Sequence, residues 1–200
     1  METRKRELYK IASEQSGYFT SRQASNAGYY YRLQYYHKER GHWLEIDHGV
    51  FRLADYPNAP TEDFIRWTFW TRNQQDIPQG VISYESALSV HELGDIMPGK
   101  IHITVPHHFR KNPKGRCILH KDTLPSQDIE KKEGFFVTTP KRTIIDVING
   151  NLSLDELEKA IRDGIARGFF SLRQIINSKQ SKKAMEKLRI VTSNIEKNSS

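Results

Sequence analysis

The chain has 200 residues, 36% of them hydrophobic, 28% charged and 10% aromatic. It is too aromatic to be disordered, and no stretch approaches the roughly 18 apolar residues that span a membrane. The net charge of +7 favours a polyanionic partner, and the one cysteine, Cys117, excludes an internal disulfide framework or a multi-thiolate zinc site.

In chain order, Leu8, Ile11 and Ala12 follow helical spacing, predicting a helix from Glu7 to about Ala12 that Gly17 ends. The opening Met1-Glu-Thr-Arg-Lys-Arg6 leads into this pattern and not into an apolar signal core, so a cytoplasmic location is expected. Tyr18-Phe19 is a short extended piece. Thr20 or Ser21 can cap a second helix to Ala27, broken by Gly28. A third helix is predicted from about Tyr30 to Arg40, ended by Gly41. Two short strands, 43–46 and 50–53, flank an Asp47-His48-Gly49 turn. Helix, strand, helix, helix and hairpin in this order read as a winged helix-turn-helix, whose third helix enters the DNA major groove.

Asp55-Tyr-Pro-Asn-Ala-Pro-Thr61 has linker composition, which places a boundary after residue 57. Beyond it the reading is mixed α and β, making the fold class α+β. Helices are predicted over 61–72 and from Ser83 to Leu93, and strands at 101–105, 117–120 and 135–138. Further helices run from Pro140 to Ile148, from Leu152 to Arg167 with a Ser153/Glu156 capping box, and from Ser171. Residues 179–200 hold six basic and two acidic side chains and read as a solvated basic tail.

The segment Tyr29-Tyr-Tyr-Arg-Leu-Gln-Tyr-Tyr-His-Lys-Glu-Arg40 is the most informative. One helix face cannot bury five rings and a leucine. With Leu33 and Tyr36 or His37 inward, the outer face carries Tyr30, Tyr31, Arg32, Gln34, Tyr35 and Lys38. Arg32 can fork onto guanine and Gln34 onto adenine, and tyrosine hydroxyls reach phosphates or base edges. Arg32, Gln34 and Tyr35 are expected to read bases, and Tyr30, Tyr31, Lys38 and Arg40 to hold phosphates. Thr20, Ser21, Arg22 and His48 complete the candidate DNA-contacting set. In the wing, Glu45 and Asp47 would repel phosphate, leaving His48 and Arg52 as the possible cationic contacts.

Catalytic patterns are weak. His91-Glu-Leu-Gly-Asp95 starts like a zincin helix but has Asp95 in place of the second histidine. The basic loop from His107 to Arg116 suits a second phosphate contact, Cys117 suits a core, and Glu85 suits a cap or an ion pair. No catalytic residue, cofactor or metal is expected.

Several ordered motifs resemble one family. Gln34-x-Tyr36-His37-x3-Gly41-x-Trp43-x5-Gly49-Val50-Phe51-Arg52-Leu53-x2-Tyr56-Pro57 is similar to the N-terminal domain of AbiEi-like antitoxins. Pro78-Gln-Gly-Val-Ile-Ser-Tyr-Glu-Ser-Ala-Leu88, His91-Glu-Leu93, Ile101-His-Ile-Thr-Val-Pro106 and Val137-Thr-Thr-Pro140-x-Arg142-Thr-x2-Asp146 resemble its C-terminal region. Such proteins belong to AbiE abortive-infection, type IV toxin–antitoxin systems. The resemblance implies a winged-helix domain over 1–57, an antitoxin-like α/β domain over 58–178, and no enzymatic activity. It further implies a repressor of its own operon that counters a nucleotidyltransferase toxin without a stable complex. The partner expected is double-stranded operator DNA with inverted repeats, bound by two copies; no membrane is involved. The alternative is a protein-interaction module whose winged helix no longer reads DNA, with Glu45 and Asp47 as the clue and the Tyr-rich helix as an aromatic hot spot for a partner. A third reading, a nucleic-acid enzyme, lacks a ligand set.

Overall fold

The computed structural model describes residues 2–113, 115, 117–178 and 181–197. The chain divides into two units, residues 1–80 with 131–136, and residues 81–130 with 137–200. The class is α+β, with one three-stranded and one five-stranded sheet.

In the first unit, helix α1 (Glu2–Ser13) starts five residues earlier than its apolar spacing suggested and buries Leu8 and Ala12. Gly17 then turns the chain at φ +88°. A Cβ there would lie 2.5 Å from the Tyr56 ring, so only glycine fits. Strand β1 (Tyr18–Thr20) leads into α2 (Ser21–Asn26) through a capping box between Thr20 and Gln23. Helix α3 (Tyr31–Glu39) follows, then the hairpin of β2 (Trp43–Asp47) and β3 (Val50–Leu53). The sheet is antiparallel in the order β1-β3-β2, with Phe19 opposite Phe51. Phe19 meets Trp43 edge-on at 4.8 Å, and Leu8, Ala12, Ala24, Tyr29 and Phe51 close the core around them.

The expected boundary after residue 57 does not match the division at Gly80. Arg52, read from the sequence as a wing cation, is buried. It donates to the carbonyls of Tyr56 and Pro57 and to Asn58 Oδ1, and pairs with Glu62 at 3.0 Å. The proline-rich segment is therefore tied down, and α4 (Glu62–Trp70) belongs to this unit through buried Ile65, Thr68 and Phe69. Tyr18 stacks on Phe69 with centroids 6.1 Å apart.

The second unit begins with the two-residue strand β4 (Val81–Ile82) and helix α5 (Tyr84–His91), which ends at Glu92 in the left-handed conformation. Strands β5 (Ile101–Val105) and β6 (Cys117–Lys121) pair in parallel. After a 3-10 turn at Ser126–Asp128 come β7 (Ile129–Lys131) and β8 (Phe136–Thr138). The five-stranded order is β6-β5-β4-β8-β7, with β4 antiparallel to β5 and parallel to β8. Helix α6 (Pro140–Asn149) is capped by Thr139, α7 (Leu154–Ala166) by Ser153 with Glu156, and α8 (Leu172–Ile176) by Ser171 with Gln174.

The segment read as a solvated basic tail is instead largely helical. Helix α9 (Lys182–Lys197) places Ala184, Leu188, Val191 and Ile195 on one stripe in the core with Leu157, Ile161, Ile144 and Ile148. Lys182 and Lys183 are exposed, while Lys187 is half-buried and donates to the Gly150 carbonyl. Residues 179, 180 and 198–200 of that tail lie outside the described residues.

Candidate nucleic-acid interface

Helix α3 has one face held by packing and one left to solvent. Tyr29, just before the helix, is only 8% exposed, and His37 stacks on buried Trp43 at 4.9 Å. On the other face Tyr30 and Tyr31 are 72% and 80% exposed, and Tyr35 and Tyr36 are exposed too. Arg32 is exposed beside them and makes no hydrogen bond or ion pair among the described residues. Arg40 lies over the Tyr36 ring at 5.5 Å. Burial of large rings stabilises a fold by several kcal/mol. Four tyrosines left out of the core on one short helix are therefore surface with another use.

Gln34 corrects the sequence reading. It is 4% exposed, and its Nε2 donates to the Ser21 and Tyr29 carbonyls and to Ser25 Oγ, while Oε1 accepts from Ser21 Oγ at 2.6 Å. Every polar group of that amide is occupied in bracing α2 against α3, so it cannot reach a base. The outer face was drawn one position too wide. Thr20 is likewise buried, with its hydroxyl accepting from the Gln23 amide as the α2 cap. Ser21 is half-buried in the same network. Of the pair offered for the core side, His37 is the half-buried one and Tyr36 is exposed.

Lys38 pairs with Glu45 of the wing at 3.2 Å and lies over the Tyr35 ring. The Glu45 bond holds its ammonium above the usual lysine range. Arg22 is exposed but donates to the Gln74 carbonyl and pairs with Asp76 at 3.5 Å. His48 is exposed at the wing tip. Its amide donates to Asp47 Oδ1, and its carbonyl accepts a close hydrogen bond from Arg72. Arg72 also lies 3.9 Å from Asp47 and 3.3 Å from Asp76. The sequence reading missed it; the spacing of Arg72 and Asp76 was the only signal. Both acidic wing residues thus stand opposite a cation of the same unit.

The second unit holds a different polar cluster, and several of its members are residues that carried the family resemblance. Arg142 donates to Asp146 at 2.7 Å and Asp122 at 2.5 Å, and lies 3.4 Å from Asp128. Burial works against the charged form of Asp122, but its bond to Arg142 and that charge hold its carboxyl below the usual range. Burial pushes Asp146 up to about 6 against the pull of Arg142. Glu85 Oε2 and His120 Nε2 each lie 3.0 Å from His102 Nδ1. His120 stacks on Tyr84 with centroids 3.7 Å apart. Burial, then His102, lower His120 to about 4.

Other sequence candidates fall apart chemically. His91 is buried with Nε2 2.7 Å from the Thr138 carbonyl, while Asp95 takes Lys159. Cys117 is buried, and burial pushes its thiol up to about 11, where it is unreactive. In the basic loop, His107 and Arg110 are exposed, and Lys114 and Arg116 lie outside the described residues. Among the described residues no helix is long and apolar enough to cross a membrane.

Comparisons with known proteins agree with the fold of both units. The crystal structure of the RV2827C protein from Mycobacterium tuberculosis superposes with a TM-score of 0.61 at 12% identity, covering 96% of this chain and 77% of that one. No curated protein matches the sequence. The family model of the AbiEi antitoxin C-terminal domain matches residues 79–173, from the residue before Gly80 to the start of α8. That span contains α5, all five strands of the larger sheet, and the Arg142 and His102 clusters. Over residues 79–173, just under half its length, this chain is similar to an AbiEi antitoxin C-terminal domain.

Proposed function

We propose that this antitoxin is also a DNA-binding autoregulator, with the first unit a winged helix-turn-helix that lays α3 in the major groove. The observation that carries the reading is the solvent face of α3, where Tyr30, Tyr31, Arg32 and Tyr35 stand exposed with the Arg32 guanidinium unpaired among the described residues. Arg32 and Tyr35 read base edges, while Tyr30, Tyr31, Lys38 and Arg40 hold phosphates. Gln34 and Thr20 leave the set, and His48 and Arg22 stay at its margin. One α3 covers a short stretch of duplex, so two copies sit on an inverted repeat. The neutralised protein is a nucleotidyltransferase toxin, opposed without a lasting complex, and the setting is the cytoplasm.

The interaction-module alternative uses the same exposed tyrosines as a protein hot spot and differs in taking the wing as acidic. Pairing of Glu45 with Lys38 and the approach of Arg72 to Asp47 remove that support. The test is a gel shift with the DNA upstream of the protein's own gene, comparing the native chain with Arg32→Ala/Tyr35→Ala. Sequence-selective binding by the native chain, lost in the variant, is the expected result. Equal binding to scrambled duplex would reject the reading.

A further inference from the structure

A cavity of about 440 Å³ opens within the first unit, in the size range of small-molecule sites. Its walls are aromatic: Tyr9 and Tyr56, with rings 6.3 Å apart, on one part, and Tyr29, His37 and Trp43 packed against one another on another. Lys5 and Asp55 bring one cation and one carboxylate to the lining. Neither makes a hydrogen bond or ion pair among the described residues.

Tyr29 supplies the decisive detail. Its side chain is more than nine-tenths buried, and burial raises its hydroxyl pKa. The residue lines the cavity, and its hydroxyl, which is open to solvent, makes no hydrogen bond among the described residues. That hydroxyl is uncommitted within the fold and open to a ligand in the cavity.

We propose that this cavity binds a purine base or its nucleoside. Aromatic walls favour a flat ligand with π faces, the mode in which unstacked bases are held on Tyr, Trp and His. The polar groups are few and of mixed kind: a donor at Lys5, an acceptor at Asp55, and a hydroxyl at Tyr29 that can be either. A purine edge offers donors and acceptors in the same mixture. An organic cation would be drawn to Asp55 and the rings but opposed by Lys5, and a sugar needs more hydrogen bonds than this lining provides. The site is distinct from the outer face of α3, and it needs no DNA to be filled.

The test is isothermal titration of the full-length protein with adenosine and with guanosine, in the absence of DNA. At least one should bind saturably below millimolar concentration. Tyr9→Ala, which removes an exposed stacking ring, should weaken binding about tenfold. Tyr29→Phe, which keeps the ring and deletes the hydroxyl, should weaken it about fivefold. Both variants should melt with the native chain, because neither side chain holds another polar group. Absence of heat with both nucleosides overturns the proposal. Binding that is equally strong in both variants overturns it as well, by placing the nucleoside elsewhere.

Discussion

The two units use the same polar residue types in opposite ways. On α3 the arginine and most of the tyrosines are exposed, and Arg32 has no partner among the described residues. In the second unit Arg142 is half-buried and faces three carboxylates at once, and Tyr84 is covered by His120. A buried charge must be matched within the fold, whereas an exposed one is free for a partner. The contrast separates an open surface, which the proposed function uses for contact, from a brace that holds α6 to the loop after β6. It can be broken or sharpened by asking which substitutions change stability and which change binding alone.

The largest effect belongs to the brace. Arg142→Met leaves Asp146 buried with no cation, and its Oδ2 already lacks a hydrogen-bond partner. A loss of about 3 kcal/mol in urea unfolding at pH 7 is expected. The loss should shrink at pH 5, because the Asp146 carboxyl, already pushed up to about 6 by burial, then takes a proton and needs no cation. A loss under about 1 kcal/mol would class the cluster with ordinary surface pairs. Next in size is the contact face. Arg32→Ala/Tyr35→Ala should weaken operator binding about thirtyfold while the unfolding midpoint stays put. A drop in stability there would mean that the α3 face is scaffold after all.

The third effect is a pH dependence confined to the second unit. His120 sits at about 4 in the fold, below the ordinary histidine value near 6.5. The unfolded chain therefore takes up that proton first. The stability that neutral His120 contributes is complete above pH 6.5 and is lost as pH falls towards 4. Asp146 titrates in this range with the opposite sign, so the difference between the native chain and His120→Phe isolates the histidine. Between pH 7 and 5 the native chain should lose about 2 kcal/mol more than the variant. Equal losses would mean that His120 is solvated enough to titrate normally.

Much of this was legible in the sequence because local signals agreed. The strand at 101–105 is where alternation puts it, the strand at 50–53 is where the Asp47-His48-Gly49 turn puts it, and the Ser153 capping box starts α7 as read. The exposed tyrosine series was legible by counting, since one helix face has no room for it. What failed depends on contacts distant in sequence. Gln34 looks like any outward polar residue until Ser21 and Ser25 are brought against it. Arg52 looks like a wing cation until residues 56–58 fold over it. In α9 the stripe of Ala184, Leu188, Val191 and Ile195 was present, but the surrounding lysines outweighed it as a tail signal. Strand β4, two residues long, has no period to detect.

The smallest effect tests the border between the two uses of charge. Lys38 sits on α3, the helix proposed to contact DNA, yet it is paired with Glu45, as the braced residues are paired. An exposed pair of this kind contributes little to stability, so its loss should leave unfolding unchanged. If Lys38 leaves Glu45 for a phosphate on binding, Lys38→Gln lowers the slope of log affinity against log salt by about one ion. Glu45→Gln frees the ammonium beforehand and should raise affinity at low salt without changing base preference. A salt slope untouched by Lys38→Gln would move this lysine from the interface to the scaffold. The contact face would then narrow to Arg32, Arg40 and the tyrosines, with the wing held to α3 by an ion pair that never opens.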